Sequence, residues 1–104
     1  MSPNPSHKWL LNIQSNAQDR FNRLTPAEKR IIFRQLRELL LADDPNTLPF
    51  VEMLQAKKFN RIRKFRAGNY RVFFAVEIAA IVHLGHIYKG TLFLLDIRDR
   101  KEAY

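Results

Sequence analysis

Apolar and polar residues change their period several times along the 104-residue chain, and each change marks an element. Trp9, Leu11 and Ile13 alternate with Leu10, Asn12 and Gln14, the two-residue period of a strand with one buried face. From Ser15 the period becomes helical. Ala17, Phe21 and Leu24 recur at helical spacing, and Ser15 with Gln18 three positions on has the form of a capping box, which predicts a short first helix. Thr25-Pro26-Ala27-Glu28 is a stronger start signal: Thr suits the N-cap, Pro the first helical position, and Glu28 can reach back to the cap backbone. The longer second helix carries a stripe of Ile32, Phe33, Leu36, Leu39 and Leu40, with Lys29, Arg30, Arg34 and Arg37 mostly off it, and Asp43-Asp44-Pro45 ends it. The stripe reads as core against a sheet, and two helices joined so closely are expected to pair antiparallel.

Asn46 to Pro49 reads as a loop and Phe50 to Gln55 as one further helical turn, with Phe50, Met53 and Leu54 facing inward. The sheet is expected from Lys57. The stretch from Lys57 to Arg71 reads as a basic strand that reverses through Ala67-Gly68-Asn69, where Gly68 takes positive φ without cost and Asn69 tolerates it. On the return strand Tyr70, Val72, Phe74 and Val76 point to the core, and Arg71, Phe73 and Ala75 to a partly open face. If Phe65 faces the core, strict alternation sends Arg63 inward and Ile62 outward, a conflict that a bulge near Arg61 to Arg63 would resolve. Residues 78–88 admit two readings: one long strand, or a turn near Ala79 followed by a separate strand from Ile81 to Tyr88. After a turn at Lys89-Gly90, the last strand runs from Thr91 to Arg98, with Phe93, Leu95 and Ile97 on one side and Leu94, Asp96 and Arg98 on the other. The expected fold class is α+β: an N-terminal strand, an antiparallel helix pair, then a mainly antiparallel twisted sheet of three to five strands. Residues 1–104 form a single domain, with a loose N-terminal arm over residues 1–8. A chain of this length buries ~65% of the surface its unfolded form exposes.

Composition adds a charge asymmetry to that outline. Residues 1–56 hold seven Lys or Arg against six Asp or Glu, and residues 57–104 eleven against four, so the second half carries +7 of the net +8. Concentrated on the sheet, that charge is the electrostatic footprint a polyanion requires, although a solvated charged face accounts for it equally well. The absence of cysteine excludes disulfide and thiolate chemistry and fits a reducing cytoplasm. No apolar run reaches membrane-spanning length, and the opening residues have no signal-peptide core. His83 and His86, three apart in one strand, would face opposite sides, so no metal site is expected there. No zinc spacing, Gly-rich phosphate loop or Ser/His/Asp arrangement stands out, and no cofactor is expected.

Two segments carry a resemblance: Arg66-Ala67-Gly68-Asn69-Tyr70-Arg71-Val72-Phe73-Phe74, and Leu95-Asp96-Ile97-Arg98-Asp99-Arg100-Lys101-Glu102-Ala103-Tyr104. In this order they resemble the signature segments of the RelE/ParE superfamily of bacterial and archaeal toxins of type II toxin-antitoxin systems, leaning toward the RelE branch. The order of elements from Trp9 to Leu41 agrees. The resemblance implies a messenger RNA interferase: an endoribonuclease that binds RNA, cleaves messenger RNA on the ribosome and so inhibits translation in the prokaryotic cytoplasm, neutralised by a cognate antitoxin protein. It implies Lys64, Arg66, Arg71, Arg98 and Tyr104 as catalytic residues, with Lys57, Lys58, Arg61, Arg63, Arg100 and Lys101 binding RNA or the ribosome. Attack of a ribose 2′-hydroxyl on the adjacent phosphate builds negative charge that arginine and lysine can stabilise without a metal. Like-charge crowding would favour Lys64 as an acid or base, and Tyr104 would orient a proton or stack on a base. Against these roles, Arg98 could simply pair with Asp96, and Tyr104 could be a packing group. Ile62 occupies a position where some RelE toxins are basic, and the long interval between Arg71 and Arg98 implies an extra strand or extended hairpin at Ile78 to Lys89. The alternatives are a ParE-like inhibitor of DNA gyrase without nuclease activity, and a non-catalytic RNA-binding domain.

Overall fold

In a computed structural model of the chain, the structure describes residues 7–54 and 61–99. The chain opens with strand β1 (Trp9–Ile13), followed by helices α1 (Ser15–Asn22) and α2 (Pro26–Leu41) and a single 3-10 turn (Pro45–Thr47). Strands β2 (Val51–Met53), β3 (Ile62–Ala67) and β4 (Tyr70–Glu77) come next, then β5 (Ile81–His83), β6 (His86–Tyr88) and β7 (Gly90–Asp99). Five strands form one open sheet in the order β1-β7-β4-β3-β2, while β5 and β6 form a separate two-stranded ribbon. All neighbours in the large sheet are antiparallel except β1 and β7, which run parallel. This is the α+β arrangement expected from the sequence.

One face of the sheet packs on the helices. Trp9, Phe65, Val72, Phe74, Leu92, Leu94 and Ile97 from the strands meet Ala17, Ile32, Leu36, Leu39 and Leu40 from the helices in a single buried cluster. The start of α2 is built as its sequence requires: the Thr25 hydroxyl accepts from the Glu28 N–H, the Glu28 carboxylate accepts from the Thr25 N–H, and Pro26 holds the first turn. The helix α1 differs from expectation, because Gln14 rather than Ser15 is its N-cap, in extended conformation and without a side-chain cap. Phe33 also departs from the predicted stripe. It lies 47% exposed, one residue round the helix from buried Ile32, in a shallow depression with Phe21, Lys29 and Arg30.

Residues 51–53 form an edge strand, not a helical turn, and Met53 is consequently 60% exposed, whereas Phe50 still packs inward against Phe65. Pairing with β3 overrides the local helical pattern, Val51 lying opposite Phe65 and Met53 opposite Arg63. No bulge occurs where β3 begins. Its register with β4 is continuous from Ile62 to Ala67, and Arg63 stays on the core-facing side at the sheet margin, half-buried, with its guanidinium turned back to the Ile62 carbonyl. The bulge lies instead in β7. Phe73 pairs with Asp96 and Phe74 with Leu94, leaving Leu95 unmatched. That extra residue reverses the alternation, so the core takes Leu92 and Leu94 before the bulge and Ile97 after it, in place of the expected Phe93, Leu95 and Ile97.

Residues 78–88 are neither one strand nor a strand preceded by a turn at Ala79. The reversal comes at Leu84 and Gly85, both with positive φ (49° and 77°), the combination a two-residue hairpin turn requires. His83 therefore lies directly across from His86 on the same side of the ribbon, not on the opposite one. The ribbon is tied down by Tyr88, which is 2% exposed, and by the His86 ring at 3.0 Å from the His7 carbonyl. At its base Gly90 admits no side chain: a Cβ there would lie 2.0 Å from the Glu77 carbonyl and 2.9 Å from the Trp9 ring.

Candidate functional site

Alternation along β3, β4 and β7 turns Lys64, Arg66, Arg71 and Arg98 to the face away from the main core. Register then brings them together. Arg66 lies directly opposite Arg71 and Arg71 directly opposite Arg98, so three arginines from three adjacent strands form one row across the sheet. Opposed residues in antiparallel strands have Cα atoms about 5 Å apart, which puts the whole row within about 10 Å. The next row on the same face runs Glu52, Lys64, Phe73, Asp96. Lys64 thus has an acid on one flank and a phenyl ring on the other, with Arg66 two residues along its own strand.

Like charges placed opposite one another oppose folding, and Asp96 answers part of that repulsion. Its carboxylate accepts from Arg98 Nε at 2.8 Å and lies 3.5 Å from Arg20 Nε of α1. The pairing of Arg98 with Asp96 that strand spacing suggested is therefore present. Arg20 is the addition that sequence reasoning missed: nothing in a helical pattern says which strand position a charged residue will reach. Through Asp96 the first helix holds the side chain at the end of the arginine row, and the half-exposed guanidinium is given a fixed direction.

The expected cationic residues do not all gather there. Arg61 and Arg63 lie at the start of β3, on a groove of about 710 Å³ that they share with Asn46, Ala75, Glu77 and Phe93. Arg63 points to the opposite side of the strand from Lys64 and Arg66. Lys57, Lys58, Arg100, Lys101 and Tyr104 lie outside the described residues. Among the described residues, no group of three or more His, Asp or Glu side chains could hold a metal ion, and no helix is long and apolar enough to cross a membrane.

The hairpin turn that carries the row is fastened from behind. Tyr70 donates its hydroxyl to the Glu28 carboxylate at 2.5 Å, joining the start of β4 to the first turn of α2. That hydrogen bond, with burial and the nearby negative charges of Glu28 and Asp99 adding to it, pushes the Tyr70 phenol up to about 12, and the same bond holds Glu28 below its ordinary value. Chemically, the site offers permanently charged planar groups in a line, suited to grip phosphoryl oxygens in pairs, with a lysine one row away.

The sequence matches no protein-family model and no curated protein. The fold is nevertheless shared with known structures. It is similar to a chain of the archaeal RelE–RelB complex from Pyrococcus horikoshii OT3, with a TM-score of 0.64 and 20% identity, over 92% of this chain and 99% of that one. It is also similar to a chain of the toxin–antitoxin complex RelBE2 from Mycobacterium tuberculosis, with a TM-score of 0.57 and 16% identity, over 89% of this chain and 99% of that one. The chain thus carries the RelE-like fold.

Proposed function

We propose that this protein is the toxin of a type II toxin-antitoxin module, a cytoplasmic endoribonuclease that cleaves messenger RNA on the ribosome and is held inactive by a cognate RelB-like antitoxin. The observation that carries this reading is the row Arg66–Arg71–Arg98 with Lys64 beside it, displayed on the open face of a RelE-like sheet. The reaction is attack of a ribose 2′-hydroxyl on its own 3′-phosphate, giving a cyclic phosphate and a free 5′-hydroxyl. Arg66, Arg71 and Arg98 hold the phosphate and take up the negative charge that grows on its non-bridging oxygens; being always protonated, they act as electrostatic clamps. Lys64 and Tyr104 are assigned to the proton transfers at the attacking and leaving oxygens. Arg61, Arg63, Lys57, Lys58, Arg100 and Lys101 steer and hold the RNA and its ribosome.

The test is incubation of the purified chain with bacterial ribosomes programmed with messenger RNA, new RNA ends being mapped by primer extension. The expected outcome is cleavage that requires the ribosome, persists in a chelator, and falls at least about 100-fold in Arg98→Ala, the scale of losing one preorganised charge contact. Intact RNA together with inhibition of gyrase supercoiling would replace this reading with the ParE-like one. Salt-sensitive RNA binding without product would leave a binding domain.

A further inference from the structure

An acid stands on the face that gathers the cations. Asp96 shares a row with Lys64 and Phe73, one row from Arg66, Arg71 and Arg98. A carboxylate there repels phosphate and lowers the affinity of the face for a polyanion, so its presence calls for a reason. Its surroundings supply one. The side chain is 16% exposed, and both oxygens meet donors. Oδ2 accepts from Arg98 Nε at 2.8 Å, while Oδ1 accepts from the Ile97 N–H at 2.9 Å and lies 3.5 Å from Arg20 Nε. Two departures from regular structure bring these groups together. The bulge at Leu95 reverses the alternation of β7; a strand that kept the period of Leu92 and Leu94 would turn Asp96 and Arg98 into the core. Strand β1 pairs with β7 only as far as Leu94, so the second half of β7 meets helix α1, whose last turn carries Arg20.

We infer that Asp96 is a positioning residue for Arg98: it holds the guanidinium through Nε at the end of the arginine row, so that the direction of the charge is set before a phosphate arrives. The Ile97 N–H and Arg20 fix the carboxylate in turn. A long arginine side chain loses rotamer freedom when it is immobilised, and a contact ordered only on binding draws that loss from the binding energy. A charge already aimed where negative charge develops lowers the barrier without reorganisation. Arg98 loses none of its capacity for phosphate by this, because a guanidinium anchored through Nε has two Nη nitrogens that also donate. One carboxylate between two guanidiniums also leaves the site cationic. The inference rests on the cleavage reading of the arginine row, to which it adds a sign: neutralising Asp96 strengthens binding and slows the reaction.

Single-turnover cleavage on ribosomes programmed with messenger RNA, with RNA binding measured on the same full-length proteins, tests it. Asp96→Asn should bind RNA at least as tightly as the wild type, having lost a negative charge, yet cleave about 10- to 100-fold more slowly, the scale of a misplaced catalytic group. Asp96→Glu keeps the charge but shifts the carboxylate by one methylene. It should fold as the wild type does and still cleave about tenfold more slowly, which guards against misfolding of the asparagine variant. In an Arg98→Ala background Asp96→Asn should cost nothing further, because the group it positions is gone. Either single variant cleaving at the wild-type rate, or Asp96→Asn slowing Arg98→Ala as much as it slows the wild type, would overturn the inference and leave Asp96 as an offset to repulsion alone. A wild type that leaves the RNA intact would overturn the cleavage reading itself, and the inference with it.

Discussion

At the scale of single residues, the contact between Tyr70 and Glu28 makes a prediction whose sign differs at the two ends of the pH range. The Tyr70 phenol is pushed up to about 12, so the stability it contributes is complete below its ordinary value of 10.0 and is lost as pH rises from there toward about 12. Glu28 is shifted down, so its contribution is complete above its ordinary value of 4.5 and is lost as pH falls through the depressed one. Urea midpoints measured across pH should therefore show wild type exceeding Tyr70→Phe by a constant margin at neutral pH. The margin should close at both the alkaline and the acid end. A margin that stays flat through both would mean that the bond contributes nothing. The residues of the arginine row were legible in the sequence because strand alternation and one glycine turn settle which side each occupies. Asp96 was legible as a neighbour of Arg98 two positions away. Arg20 was not, because its meeting with Asp96 depends on how α1 lies against β7, which no local period encodes.

Elements show the same division between local and tertiary control. The second helix was readable to its first residue, since the capping box and Pro26 are local chemistry. The edge strand at Val51–Met53 was not, because three residues with an apolar pattern suit either a turn of helix or a strand, and the ladder of β3 decides between them. The ribbon tip was missed for a related reason: Leu84-Gly85 is an uncommon pair for a turn that needs positive φ twice. Gly90 binds these elements together, at the point where Trp9, the end of β4 and the start of β7 converge. Gly90→Ala should lower stability by about 3 kcal/mol, since the Glu77 carbonyl it would strike is backbone and cannot rotate away. Thermal unfolding followed by circular dichroism would measure this, and a change below about 0.5 kcal/mol would show that β7 shifts freely.

For the molecule as a whole, charge is segregated by face and by half. The arginine row lies at the turn end of the sheet, whereas the uncharged ribbon follows the far end of β4. The proposed function then requires an RNA affinity that falls steeply with salt, with Arg66→Ala or Arg71→Ala each flattening a log–log plot of affinity against salt by about one unit of slope. Slopes unchanged in both variants would place the phosphate contacts elsewhere. The strand order holds a further consequence. Strand β7 is the last of the described strands in the chain, yet it lies inside the sheet between β1 and β4 and supplies Arg98, Leu92, Leu94 and Ile97. During synthesis the first strand therefore waits unpaired for its neighbour, and neither the complete core nor the row of three arginines exists until β7 has been made and has slotted in between two strands that precede it.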